Sequence, residues 1–273
     1  MWHDSKAELI VQLRRPANWL LLATAAALTL SFAYVIPYAG YRGGSPAGAG
    51  AEPLRQMLPT EFAGAAIGGM PAFIGALALI FGVLVAGSDY AWHTWKTLLV
   101  QQPSRGKVLA GKVGTIAAGT LLLVLVLLGV SAAASLAVAG IEGADTTLPQ
   151  IQEILADLAA GWLIVFMWGM FGVALAIALR GIALPVGIGL VWMLAIQNLI
   201  TALAAPLIGW VDDAQAWLPG PAAGSLVATL GGGERTPGVA ELSGQTQSVL
   251  VLLAYLTVFT LTAVALLHRR DLT

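Results

Sequence analysis
The stretch Val113 to Ile141, VGTIAAGTLLLVLVLLGVSAAASLAVAGI, contains no Lys, Arg, Asp, Glu or His. A membrane-crossing helix needs about 20 predominantly apolar residues, and this run exceeds that length. Five further stretches meet the same test: Trp19 to Tyr38, Ala65 to Ala86, Gly161 to Leu179, Ile182 to Trp210 and Ser248 to Leu267. None of them carries an ionisable side chain of those five kinds. Charge is confined to the connections, as expected when each centrally placed charge costs about 2.5 to 3.5 kcal/mol on insertion scales. The sequence therefore predicts an all-α membrane protein with six transmembrane helices, a single membrane domain over residues 1–273. The third and fifth runs are longer than a bilayer requires and should tilt or extend past the hydrocarbon.

The rest of the composition agrees. Of 273 residues, 58% are hydrophobic and 10% charged, and the mean hydropathy is +0.85. A soluble domain carries about 25% charged residues, which argues against a water-soluble globular enzyme. Thirteen Lys and Arg against 14 Asp and Glu leave no basic field for nucleic acid. Without cysteine there are no disulfides, thiolate metal sites or thioether lipid anchors.

Alternate connections differ in basic residues. One side receives Lys6, Arg14, Arg15, Lys96, Arg105, Lys107, Lys112, Arg180, Arg269 and Arg270, and the other only Arg42, Arg55 and Arg235. The positive-inside rule then places both termini in the cytoplasm. The first apolar run exceeds a signal-peptide core and has no clear small-x-small cleavage site, so it reads as a retained span.

Ahead of it, Ser5 and Glu8 have capping-box spacing and Pro16 limits continuation, so a helix over about 6–16 is expected. Trp2, Leu9, Ile10 and Leu13 share one face, with Arg14 and Arg15 at its end, which suits a helix lying on the inner membrane surface. A plain positively charged topogenic flank is the alternative. Residues 211–247 form a long outer connection with an apolar first half containing Trp217, Leu218 and Pro219. It either dips back into the outer leaflet or caps an exit path, or is a short interfacial helix that only covers the bundle.

The inner connection 87–112 reads GSDYAWHTWKTLLVQQPSRGKVLAGK. Asp89 can cap a short helix carrying Tyr90, Trp92, Trp95, Leu98 and Leu99, broken by Pro103 and Ser104 before Arg105 and Lys107. Asp89, His93, Thr94, Trp95, Lys96, Leu98, Leu99, Ser104, Arg105 and Lys112 together resemble the first cytoplasmic loop of permease subunits of type-2 ABC exporters, in particular the bacitracin-resistance and lantibiotic-immunity subgroup. Asp89 and His93 depart from the usual Glu and Gly of that pattern. The resemblance extends to the N-terminal helix, the six spans and Trp217-Leu218-Pro219, and so covers essentially the whole chain. It implies that the loop docks on a separate cytoplasmic ABC ATPase subunit, which would hold ATP and magnesium. It also implies that a second permease copy, or a related permease, completes the substrate path in the cytoplasmic (inner) membrane of a bacterium. Amphipathic drugs, peptides or lipids are the cargo such an apolar bundle suits.

No cofactor or metal is expected in this chain, and no catalytic residue. Gly106 to Lys112 has phosphate-loop spacing, but Val113 stands where Ser or Thr would hold magnesium. Leu242 to Gln245 resembles an ABC signature lacking a Gly and lies on the wrong side. Gln197 and Asn198, the most polar point in any span, line a substrate path or partner interface, or form an ordinary interhelical hydrogen bond. Gly64 with Gly68, and Gly161, Gly169 and Gly172, permit close helix approach. Two functions of other classes stay open: a non-transporting anchor or regulatory subunit, and an ion-coupled secondary transporter. The absence of ionisable residues in the spans argues against the latter.

Overall fold
The computed structural model describes residues 11–12, 14–43, 54–91, 105–233, 236 and 238–269, and among them there is no β-strand. Among the described residues six helices are long and apolar enough to cross a membrane. They are α1 (Pro16–Arg42), α2 (Pro59–Ala91), α3 (Arg105–Glu142), α4 (Ile151–Leu179), α5 (Ala183–Leu207) and α8 (Gln245–Arg269). Two short helices, α6 (Gly209–Gln215) and α7 (Pro219–Thr229), lie between the last two spans.

Three spans contain a π-turn beside a proline: Ser31–Val35 ahead of Pro37, Met70–Ile74 around Pro71, and Ile200–Ala204 ahead of Pro206. A proline inside a helix removes one donor and crowds the preceding turn, and a π-turn lets neighbouring groups re-pair without leaving the helix. At Pro71 the rearranged bond is the Ile74 N–H to the Gly69 carbonyl, 3.0 Å.

The centre of the bundle is the contact between α2 and α4. In their most apolar windows 61% of residues are buried, against 17% in α1, α5 and α8. Glycine makes this contact possible. A Cβ on Gly82 would run into the Gly169 carbonyl, and one on Gly172 into the Leu79 carbonyl. Trp168 is fully buried beside Gly75 and Met193, and the Phe171 and Phe259 rings, 4.8 Å apart, join α4 to α8. The remaining spans leave large apolar side chains exposed, Leu20, Val191, Leu203 and Leu261 among them, as lipid or a second chain would require.

Contacts between helix ends fix the arrangement. Arg15 reaches Leu84 and Ser88, Gly87 abuts Gly181, and Leu267 shares an apolar cluster with Val85 and Leu109. The start of α1, the end of α2, the start of α3 and the ends of α4 and α8 therefore lie together, at the end of the bundle where α1 begins and α8 ends (the terminus-bearing end). At the opposite end the Tyr38 hydroxyl donates to Glu142, 2.7 Å, and Arg42 pairs with the same carboxylate at 2.6 Å, tying α1 to α3. In the turn between α3 and α4, the Thr147 hydroxyl and backbone N–H donate to Asp145 and hold its carboxyl below the usual range.

Several boundaries differ from those expected. The fourth span starts at Ile151 rather than Gly161, because Gln150 and Glu153 form a capping box and the Leu- and Ala-rich segment after it continues the helix. Glu153 and Asp157 are thus helical. The fifth span stops at Leu207, where Ile208 is extended, and Trp210 sits exposed on α6 instead of ending the span. Pro16 is the first residue of α1, so the N-terminal helix cannot include it. The 211–247 connection does not merely cover the bundle. Ala222, Ala223, Ser225, Leu226 and Val227 of α7 are all buried, in the same apolar cluster as residues of α2, α4 and α8 or beside it. The segment after α7 returns across it closely enough that Gly224 faces the Gly238 carbonyl, and Ser225 donates to the Ala240 carbonyl at 3.0 Å.

Gly82→Ala is expected to lower resistance to unfolding in SDS by about 1 to 3 kcal/mol. Gly114→Ala places its methyl in open space and should be neutral or stabilising by up to about 1 kcal/mol. Equal losses in a circular-dichroism titration would contradict the backbone contact.

Candidate functional site
Lys112 lies in the second turn of α3 and is almost fully enclosed, with 2% of its side chain exposed. A buried ammonium needs acceptors for its N–H groups or it costs several kcal/mol. Two come from the end of α2: Lys112 Nζ donates to the Val85 carbonyl at 3.0 Å and forms an ion pair with Asp89. Asp89 is itself mostly enclosed, 13% exposed. The two residues that bracket the 87–112 connection are therefore joined, and α2 and α3 are clamped where that connection leaves them.

A second cation braces the same place. Arg15 Nη1 donates to Ser88 Oγ at 2.9 Å and to the Leu84 carbonyl at 3.3 Å. The chain leading to it is held by Asn18, whose Nδ2 donates to the Gln12 backbone carbonyl at 2.8 Å and side-chain Oε1 at 3.0 Å. Arg15, Ser88, Asp89 and Lys112 thus form a polar belt around the end of α2, the helix most deeply packed against α4. Beyond the belt, a recess of about 290 Å³ opens between α1, α2 and α3. Trp19, Leu22, Phe81 and Leu123 supply its apolar walls and Gln12 and Asn18 its polar rim. Gly119 leaves room for the Phe81 ring, which a Cβ there would approach to 2.6 Å. The arrangement offers an apolar slot with hydrogen-bonding groups at one end.

Of the residues expected from sequence, Asp89 and Lys112 come together and Arg15 joins them. Arg14 is exposed in the turn before Arg15. Arg105 opens α3. Trp92, His93, Thr94, Trp95, Lys96, Leu98, Leu99 and Ser104 lie outside the described residues, as do Trp2, Leu9, Ile10 and Leu13. Asp89 does not cap a new helix: α2 runs through it to Ala91, and Tyr90 packs against the α2, α3 and α8 cluster instead of standing in a displayed knob. Gly106 to Lys112 is helical throughout, so no phosphate-cradling loop exists there.

Gln197 and Asn198 part company. Gln197 is buried, and its Oε1 accepts the Gly220 N–H at 2.7 Å, satisfying a donor in the first turn of α7. Asn198 is exposed and its amide donates to the Leu194 carbonyl, 2.8 Å, within its own helix. Gln197 therefore latches α7 to α5, the interhelical reading of this pair. Sequence reasoning missed Gln12, Asn18 and Ser88. Their only signal is polarity at the edge of an apolar run, which nearly every span edge shows.

No protein-family model matches the chain, and no curated protein matches it significantly.

Removing one partner of a buried ion pair costs about 3 to 5 kcal/mol. Lys112→Met is therefore expected to destabilise strongly, and Asp89→Asn combined with Lys112→Met by clearly less than the two single losses added. Strict additivity in SDS unfolding would show that the pair does not hold α2 to α3.

Proposed function
We propose that the chain is the membrane-spanning subunit of an ATP-driven exporter, with the terminus-bearing end in the cytoplasm and ATP hydrolysis supplied by a separate subunit docked on the 87–112 connection. The observation that carries this reading is the clamp at the base of that connection. A segment whose two ends are tied by Asp89 and Lys112, and braced by Arg15, delivers a push on it to α1, α2 and α3 together. A loosely attached loop would absorb the same push. The family resemblance supplies the direction of the reading, and the basic residues at this end, among them Arg14, Arg180 and Lys107, agree with a cytoplasmic position.

The path for cargo is completed by a second copy or a related permease against the exposed apolar faces of α1, α5 and α8. Closure of the ATPase pair would press on the clamp, and rigid spans would carry the movement to that path. The cargo class that suits these walls is amphipathic. The apolar recess beside Trp19 and Phe81 is a place where its apolar part can rest.

Affinity purification of the tagged protein from native membranes in mild detergent is expected to recover a roughly stoichiometric ATP-binding subunit. Trp95→Ala combined with Arg105→Ala should abolish that recovery while membrane insertion is unchanged. An intact preparation that contains no ATPase would overturn the exporter reading in favour of an anchoring subunit, and transport that fails on collapse of an ion gradient would favour a secondary carrier.

A further inference from the structure
At the end of the bundle away from the termini, a cavity of about 530 Å³ lies between the start of α2, the start of α4 and the end of α7. Its wall carries three carboxylates, Glu61, Glu153 and Asp157. Asp157 is the unusual one. It is only 5% exposed, it faces this cavity, and among the described residues no hydrogen bond or ion pair reaches its carboxylate. Glu153, one turn earlier on α4, spends one oxygen on the Gln150 N–H at 3.2 Å. Glu61, from α2, has Arg55 no nearer than 3.9 Å. The end of α7 brings Thr229 and Leu230, neither of them charged.

An enclosed carboxylate without a donor is costly, and a second carboxylate one helical turn away adds to the cost. A ligand bearing N–H donors would supply what the chain does not. The volume falls in the range of small-molecule sites, about 300 to 1,000 Å³, and is many times that of one water. Among the described residues no three acidic or histidine side chains converge closely enough to hold a metal ion. The same wall carries the apolar Pro149, Ala156 and Leu230. A lining of several carboxylates and apolar groups suits a polyatomic cation with several N–H donors and a short apolar body.

We propose that this cavity binds an organic cation through its primary ammonium or guanidinium group, with Asp157 as the principal acceptor and Glu153 and Glu61 as secondary ones. Binding of this kind does not depend on the export reading.

Agmatine, which carries both groups on a four-carbon body, is a suitable probe. The full-length protein in phosphatidylcholine nanodiscs, at pH 8 and low salt, is expected to bind it saturably with one agmatine per chain in isothermal titration. Asp157→Asn should weaken binding at least about tenfold, the free energy of one lost charge-assisted contact being about 1.5 to 3 kcal/mol. The same substitution should leave the unliganded protein at least as resistant to unfolding as the parent, since it removes an uncompensated charge. Asp157→Glu should retain part of the affinity. Glu241→Gln, at an exposed carboxylate elsewhere, should change nothing. Should Asp157→Asn fail to fold, Glu61→Gln combined with Glu153→Gln is expected to weaken binding severalfold. Absence of saturable binding by the parent up to about 10 mM, or affinity untouched by Asp157→Asn, would overturn the proposal.

Discussion

The contact of α2 with α4 through glycine is the constraint on which the rest of the molecule depends. In a bilayer, apolar side chains gain little by leaving lipid for each other, so spans are held by close van der Waals contact and by a few polar bonds. Gly82, Gly169 and Gly172 bring two backbones together over the middle of the bundle, where no ionisable group is available to tie them. Both the clamp and the acidic cavity are hung on the ends of this pair. The end of α2 carries Val85, Ser88 and Asp89 to Lys112 and Arg15, while its other end carries Glu61 to the cavity that Asp157 of α4 faces.

The two ends solve the same electrostatic problem in opposite ways. At the terminus-bearing end every charged group in the belt has a partner, and the result is mechanical: three helices are fixed to one another at the root of a connection. At the far end a carboxylate is enclosed without a donor, while one oxygen of Glu142, at the same end, takes both Tyr38 and Arg42. Donors for carboxylates are therefore present at that end and are spent on joining α1 to α3. Asp157 is left out by geometry, since α4 presents it to a cavity rather than to a neighbouring helix.

The six spans were legible because exclusion of charge from hydrocarbon is a local rule, written into each run of residues. Asp89 and Lys112 were legible only as the two ends of a motif. That they meet depends on how α2 and α3 are set side by side, which no local pattern encodes. Gly82 went unnoticed beside Gly169 and Gly172 because a close approach is a property of a pair of helices, and a glycine in one apolar run looks like any other. The start of α4 was misread for a related reason. Glu153 and Asp157 look like loop residues until the capping box at Gln150 shows that the helix has already begun. The burial of α7 was hidden by its prolines and small residues, which resemble a connection in sequence yet are what allows a helix to sit within a bundle, with Gln197 supplying the acceptor its first turn lacks.

The π-turn at Met70–Ile74 divides α2 into a segment facing the acidic cavity and a segment ending at the clamp. A turn of that kind is a natural place for a helix to bend, but most of this one is packed: Met70, Pro71 and Ile74 are buried, Gly75 lies against Trp168 and Met193, and Phe73, though exposed, stacks on Phe32 of α1. Bending there would open a void among close-packed side chains, which costs free energy in proportion to the volume exposed. The π-turns of α1 and α5 beside Pro37 and Pro206 are more exposed by comparison, with Val35 and Leu203 turned outward. Motion that begins at the clamp is therefore expected to carry α2 with α4 as one body, and to be taken up where α1 and α5 yield around it. The acidic cavity, built from α2, α4 and α7, then moves as a unit with the clamp instead of being deformed by it.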